Sequence, residues 1–153
     1  MTEFALLNTI KNPSDVKNLE PARLEQLAAE MRRAVLQKVS AKGGHLGPNL
    51  GTVELTIALH RVFNSPEDKI VWDVSHQCYP HKLLTGRAFG FTDPARYHEI
   101  SGYTAPAESE HDVFTVGHTS TSVSLACGLA KARDILGQKH NVIAVIGDGS
   151  LSG

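Results

Sequence analysis

The most constraining feature of this sequence is a short apolar run, residues 142–146, that passes directly into Gly147-Asp148-Gly149. A run this short, without polar alternation, is typical of a strand covered on both faces in a parallel sheet. Ligands of such sheets bind beyond the carboxyl ends of the strands. The sequence therefore predicts an α/β fold with a parallel sheet, and it places Asp148 where such folds bind ligands.

The three residues Gly147-Asp148-Gly149 have more than one interpretation. A sharp turn after a buried strand exposes N–H groups that can hold a diphosphate, and Mg²⁺ would then join Asp148 to the phosphate oxygens. A dinucleotide site fits poorly, because Ser152 stands where the G-x-G-x-x-G fingerprint needs its third glycine. On these residues alone, a tight turn that contains an aspartate is the simpler interpretation.

Composition excludes several classes of protein. The 153 residues are 41% hydrophobic and 20% charged, which is typical of a globular domain with a core. A net charge of −1 gives no electrostatic reason to expect nucleic acid or a membrane surface as a partner. No run suits a signal peptide or a membrane span. Cys78 and Cys127 form no C-x-x-C pair, so we expect buried thiols in a reduced, cytoplasmic setting.

Helical periodicity appears in two segments of the amino-terminal part. The first runs over 21–39, and the second over 52–63 with Thr52 as its cap. Charged residues off the apolar face of the first helix, Glu30 among them, are interpreted as solvated. Residues 1–20 lack periodicity and are predicted to form an extended arm with one helical turn near its end.

Strands are predicted at three apolar runs, 70–74, 113–116 and 142–146. Between the first two, residues 86–107 contain glycine and proline and little periodicity, which predicts an irregular excursion over the site. A helix ending near Leu136 is predicted between the second and third strands.

Three predicted loops each place a histidine beside glycine or hydroxyl residues. His45 lies in a glycine-rich loop, His76 follows a strand, and His118 precedes four hydroxyl residues at a helix start. The first turn of that helix would offer unpaired N–H groups to an anion. Each loop taken alone has a simpler interpretation. The first is a flexible connector, the second carries an ordinary hydrogen-bonded histidine, and the third is a helix N-cap. Together with Asp148 they predict one site.

Zinc and serine-nucleophile chemistry receive no support from the sequence. The spacings of His76 to His81 and of His111 to His118 match no zinc-binding arrangement, and H-E-x-x-H is absent. The sequence also contains no G-x-S-x-G elbow of a serine hydrolase.

Six short stretches carry a resemblance to a known family, and they occur at 44–47, 51–56, 72–82, 108–112, 117–122 and 147–149. In this order they resemble the amino-terminal part of the 1-deoxy-D-xylulose-5-phosphate synthase family, thiamine-diphosphate enzymes of the transketolase superfamily. The resemblance implies that residues 1–153 form an incomplete, transketolase-like cofactor-binding domain. It implies a transferase that condenses pyruvate with glyceraldehyde 3-phosphate, releasing carbon dioxide, in isoprenoid and thiamine precursor synthesis.

The resemblance also implies roles for individual residues. Thiamine diphosphate and Mg²⁺ would be the cofactors, with Asp148 as a metal ligand. His45 would handle a proton or position substrate, which suits an imidazole. The residues implied to bind the cofactor are His76, Gly117, His118, Thr119, Gly149 and Ser150.

The sequence departs from the family at several points. Ser75 stands where the family has glycine, and we expect its side chain to crowd the cofactor. Residues 105–107 lack the basic residue that the family has there, which leaves the acceptor aldehyde open. The family's second metal ligand, an asparagine, and its cofactor-activating glutamate lie further along and are not among these residues.

Two readings of function stay open at this point. In one, the chain is part of an enzyme that is completed by homodimerisation or by a complementing chain. In the other, it is a catalytically silent fragment or a subunit-association module. We expect the chain alone to bind the cofactor weakly or not at all, and whether it is an enzyme by itself stays open.

Overall fold

The structure is a computed structural model that describes residues 3–153. These residues form two compact units. The first unit contains residues 3–62 and 77–102, and the second contains 63–76 and 103–153. The first is helical, whereas the second carries the sheet.

The first unit is built from helices that pack on the apolar face of one long helix. Leu27, Met31 and Val35 lie on that face and are fully buried. Among the described residues no helix is long and apolar enough to cross a membrane. The helices are α1 Pro13–Lys17, α2 Leu24–Lys42, α3 Gly47–Gly51, α4 Val53–Val62, α5 Tyr79–Lys82 and α6 Phe89–Thr92.

The two predicted helices of this unit are confirmed as α2 and α4. A 3-10 turn, Pro21–Arg23, precedes α2, which ends where Gly43 adopts a φ of 78°. That left-handed conformation favours glycine and terminates the helix. The glycine-rich loop contains the short helix α3, which the sequence pattern did not predict.

Residues 3–20 differ from the predicted extended arm, and Met1 and Thr2 lie outside the described residues. The segment contains a 3-10 turn at Leu7–Thr9 and then α1, which begins with a capping box from Asn12 and Asp15. Its apolar side chains are buried, which an extended arm over the surface would not require. The buried residues are Phe4, Leu6, Leu7, Ile10 and Val16.

Glu30 anchors this amino-terminal segment, so its interpretation as a solvated residue is wrong. Its side chain is buried, and Oε2 accepts hydrogen bonds from the N–H groups of Leu6 at 2.9 Å and Leu7 at 2.8 Å. Its other carboxylate oxygen accepts from Gln26 at 2.9 Å. A buried carboxylate is tolerated where donors compensate its charge, as they do here.

The segment predicted as an irregular excursion is partly regular. A π-helical segment, Leu83–Arg87, leads into α6, and the 3-10 helix Pro94–Glu99 follows. Phe91 and Tyr97 from this segment are buried. The elements are too short to show a clear period in sequence, and burial of aromatic side chains holds them in place.

The second unit contains a parallel sheet, as the sequence predicted, and one pair of strands forms it. Strands β1 Lys69–Trp72 and β2 Val142–Val145 pair with Lys69 opposite Val142. Asp68 fixes the start of both strands, because its carboxylate accepts from the N–H groups of Asn64 and Asn141, each at 2.6 Å. Burial would raise the pKa of Asp68, but these hydrogen bonds outweigh it and lower the pKa below its usual value.

The predicted third strand is wrong, since residues 113–116 form none. Side-chain hydroxyl groups donate hydrogen bonds to backbone carbonyls of this segment, which a neighbouring strand would otherwise use. The Phe114 carbonyl accepts from the Thr104 hydroxyl at 2.7 Å, and the Val116 carbonyl accepts from the Ser75 hydroxyl at 2.9 Å. The sheet of the described residues therefore has two strands. Strand β2 is half-buried along its length, not covered on both faces as expected.

Helix α7, Ser122–Ile135, confirms the predicted helix but is largely exposed. Ser122 is its one buried residue. Ile135 is 72% exposed, and Val123 is 42% exposed. Cys127 is also exposed, so the expectation of two buried thiols holds for Cys78 alone. The second unit ends with the short helix α8, Asp148–Leu151.

Candidate functional site

Three segments of the second unit meet beyond the carboxyl ends of β1 and β2. They are residues 73–76, 116–122 and 148–153. The Ser75 hydroxyl donates to the Val116 carbonyl at 2.9 Å, and the Ser120 hydroxyl donates to the Ser150 carbonyl at 2.6 Å. The structure thus joins the segments that carry His76, His118 and Asp148.

Asp73 organises the middle of these segments. It is 1% exposed, and its carboxylate accepts hydrogen bonds from the N–H groups of Ser120 and Thr121, each at 3.1 Å, and of Ser122 at 3.0 Å. Burial would raise the pKa of Asp73, but the hydrogen bonds together outweigh it and lower the pKa below its usual value.

This arrangement limits the expectation that the first-turn N–H groups of α7 would be open to a bound anion, since that of Ser122 is already taken. The carboxylate of Asp73 accepts from the N–H groups of the N-cap residue Thr121 and of the first helical residue Ser122, so the chain itself places a negative charge at the helix start. Sequence reasoning missed this role of Asp73. The available signal was an acidic residue directly after an apolar strand, where a charge needs a partner once it is buried.

Ser75 serves the fold in a way that the sequence did not indicate. Its φ is 71° and that of Val74 is 57°, both in the left-handed region that favours glycine. The buried hydroxyl accepts from the Thr104 N–H at 3.1 Å and donates to the Val116 carbonyl. The expected crowding of a cofactor stays untested, but the hydroxyl has a structural use that glycine could not supply.

Substitutions at Ser75 separate backbone strain from hydrogen bonding. Ser75→Ala removes two buried hydrogen bonds and keeps the strained φ, so we expect a loss of about 2–3 kcal/mol. Ser75→Gly removes the same bonds but relieves strain of roughly 1 kcal/mol, so it should be the milder change. Chemical denaturation of the three proteins measures both losses. If the two variants lose equal stability, or if Ser75→Ala loses less than Ser75→Gly, the backbone at Ser75 is not strained.

Asp148 is accessible at the start of α8. Its side chain is exposed, and Oδ1 accepts from the N–H of Gly149 at 2.9 Å. No group of three or more His, Cys, Asp or Glu side chains comes together within residues 3–153 in a way that could hold a metal. Asp148 therefore offers one carboxylate, which suits Mg²⁺ bound largely through phosphate oxygens and water.

Three glycines around this edge have no explanation in the packing of the chain itself. A Cβ atom added at Gly117, Gly147 or Gly149 would meet no atom within 4 Å, and none of the three has a positive φ. Neither close packing nor an unusual backbone conformation requires glycine there. Open space above exposed backbone is what the close approach of a ligand needs.

The remaining predicted residues of this unit lie on the same segments. His118 and Thr119 are exposed, and Nδ1 of His118 lies 3.0 Å from the Thr119 carbonyl oxygen. His76 is half-buried and follows Ser75 directly.

His45 belongs to the first unit and is half-buried in the loop between α2 and α3. Asn49 and Tyr79 hold its backbone. The same unit contains a mainly apolar cavity of about 520 Å³ between α2 and α4, with Ile57 and Arg61 in its wall, and none of the predicted site residues lines it.

Comparison with known proteins identifies the family. Residues 7–153 match the family model of the amino-terminal part of 1-deoxy-D-xylulose-5-phosphate synthase. The chain belongs to this family. This match covers nearly all of the described residues, so the resemblance seen in the sequence is confirmed.

Curated 1-deoxy-D-xylulose-5-phosphate synthases are close in sequence to this chain. The one from Symbiobacterium thermophilum is 58% identical over 147 residues, which are 96% of this chain and 23% of that protein. Those from Shouchella clausii and Dictyoglomus turgidum are 54% and 56% identical, each over 96% of this chain. The chain spans about a quarter of the length of these relatives.

Proposed function

We propose that this chain is the amino-terminal part of a 1-deoxy-D-xylulose-5-phosphate synthase and holds the diphosphate and Mg²⁺ end of thiamine diphosphate. The observation that carries the proposal is the open space at Gly147 and Gly149, which flank the accessible Asp148 in the sequence, together with the open space at Gly117. Glycines without a packing role, next to a carboxylate at the carboxyl edge of a parallel sheet, suit a phosphate group bridged by a cation.

Each candidate residue has a defined task in this proposal. Asp148 is a ligand of Mg²⁺, whose other ligands are phosphate oxygens, water and a group outside these residues. Gly149 and Ser150 lie beside the diphosphate, and the residues that line the cofactor are His76, Gly117, His118 and Thr119. His45 positions substrate or moves a proton.

Bound thiamine diphosphate supplies the nucleophilic carbon for the condensation of pyruvate with glyceraldehyde 3-phosphate. The protein then acts in the cytoplasm as a transferase of isoprenoid and thiamine precursor synthesis. What the residues of this chain contribute is binding and orientation of the cofactor. The substrates and this setting are carried over from the family.

A second candidate function is association with another chain, either a second copy or one that carries the remaining part of the enzyme. The observation that favours it is the exposed apolar surface of the second unit. Ile135 and Leu136 are 72% and 69% exposed, and β2 is half-buried. Apolar side chains clustered on one unit are typical of interaction surfaces.

Calorimetric titration with thiamine diphosphate, with and without Mg²⁺, tests the first function. We expect weak, Mg²⁺-dependent binding to the parent chain, because further ligands lie outside it. Asp148→Asn should reduce the affinity roughly tenfold or more, since the neutral amide loses the charge that attracts Mg²⁺. Asp134→Asn is the control, because Asp134 is an exposed acid on α7 that pairs with Arg133.

The outcomes of this titration separate the two functions. Equal affinities of the parent and the Asp148→Asn variant would refute the proposed metal role. No binding to the parent, together with concentration-dependent self-association in analytical ultracentrifugation, would favour the association module.

A further inference from the structure

The backbone of His45 is part of a closed ring of hydrogen bonds in the first unit. Its N–H donates to the Tyr79 hydroxyl at 3.4 Å, and its carbonyl accepts from Nδ2 of Asn49 at 2.6 Å. Oδ1 of Asn49 in turn accepts from the N–H of Tyr79 at 2.8 Å. The side chains of Asn49 and Tyr79 thus hold both backbone groups of His45, and the Asn49 side chain is also bonded to the backbone of Tyr79.

Asn49 and Tyr79 are well placed to act as a rigid clamp, because both are buried. Asn49 is 0% exposed, and Tyr79 is 4% exposed. The Tyr79 ring packs against Phe91, with ring centroids 5.5 Å apart and an interplanar angle of 53°. Packing fixes the position of the hydroxyl, and burial removes water as a competing partner for the asparagine amide.

The glycines before His45 permit this geometry. The backbone of Gly43 turns sharply with a φ of 78°, and its N–H donates to the Val39 carbonyl at 2.8 Å. A Cβ atom at Gly44 would lie 2.9 Å from the Tyr79 hydroxyl, closer than real Cβ contacts come. Glycine at 44 therefore lets the hydroxyl reach the His45 N–H.

We infer that Asn49 and Tyr79 are positioning residues that fix the backbone of His45 and hence the direction of its imidazole. A glycine-rich loop left free would let the imidazole sample many directions, and a group that handles protons or orients substrate loses efficiency when it is misplaced. The relevance of the clamp to chemistry rests on the proposed function of His45. The clamp itself rests on the hydrogen bonds of the first unit alone.

Two variants test the clamp in the full chain without cofactor. Tyr79→Phe removes the acceptor of the His45 N–H and keeps the ring against Phe91. Asn49→Asp keeps the acceptor for the Tyr79 N–H and removes the donor to the His45 carbonyl. In both variants the rate of backbone amide hydrogen exchange should rise roughly tenfold at residues 43–47. This is the factor expected for the loss of one hydrogen bond.

Modification of His45 by diethylpyrocarbonate gives a second readout, directed at the imidazole. We expect a rate at least about threefold higher in both variants, because a freer backbone exposes the ring. The exposed His98 serves as the internal reference. Tyr97→Phe is the control, since Tyr97 is a buried tyrosine of the same unit outside this ring of hydrogen bonds.

Three outcomes decide the inference. A rise confined to residues 43–47 and His45, absent from Tyr97→Phe, supports the clamp. An unchanged exchange and modification rate in both variants overturns it, and so does a uniform rise across α2 and α4, which would indicate general destabilisation. Because no cofactor is present, failure of the proposed function appears separately, in the titration of the Asp148 variant.

Discussion

Replacing Asp73 by alanine is expected to destabilise the protein by about 3–5 kcal/mol, since the buried N–H of Ser122 and the half-buried N–H groups of Ser120 and Thr121 lose their acceptor, and an unsatisfied donor costs about 1–3 kcal/mol when fully buried. Asp73→Asn keeps one acceptor oxygen and should cost less. Thermal unfolding measures the effect, and a chain of this size should melt roughly 6–20 °C lower.

The stability that Asp73 contributes should depend on pH in a defined direction. Because the pKa of Asp73 is lowered in the folded state, its contribution is complete above the ordinary aspartate pKa and is lost as the pH falls through the lowered pKa. The parent protein should therefore lose stability on acidification more steeply than Asp73→Asn.

A matched control distinguishes this role from a general effect of removing an acidic residue. Asp134→Asn changes an exposed carboxylate on the same helix and should shift the melting temperature by roughly 1–2 °C at most. If Asp73→Ala melts within that margin of the parent, the carboxylate does not hold the start of α7.

The second large effect is expected at Glu30. Glu30→Ala leaves the buried N–H groups of Leu6 and Leu7 without their acceptor, so we expect a loss of about 2–4 kcal/mol. Hydrogen exchange should rise most at residues 4–10, which Glu30 anchors to α2. Glu30→Gln should cost roughly 1 kcal/mol or less, because one amide oxygen can accept from both N–H groups.

Glu25→Ala is the control for this prediction. Glu25 is an exposed residue on the first turn of the same helix, and its loss should change stability by about 0.5 kcal/mol or less. If Glu30→Ala and Glu25→Ala have equal effects in denaturation, the buried carboxylate does not anchor the amino-terminal segment.

Strong local patterns in the sequence predicted the longer elements correctly. Helices α2 and α4 follow from apolar residues at helical spacing, and strands β1 and β2 follow from short apolar runs that end in polar loops. The family also follows from the sequence, because it depends on the order and identity of short motifs. These features are local, so they can be recognised without knowing which distant residues meet.

The failures concern residues whose partners are far away in sequence. Glu30 is a charged residue off the apolar face of α2, a position that is usually solvated. Its side chain is buried because it bonds to residues more than 20 positions away. Residues 113–116 have a strand-like pattern, but the side chains of Ser75 and Thr104 occupy carbonyls that a ladder would use. Local propensity gives no information about such competing partners.

The sequence by itself determined the family, the main helices, the two strands and the position of Asp148 after the last strand. Only the tertiary structure decided that Asp73 holds the start of α7 and that Asn49 and Tyr79 hold His45. The physical reason is that a hydrogen bond between distant residues needs the backbone to bring donor and acceptor within about 3 Å. The chain achieves that only after its apolar residues have packed.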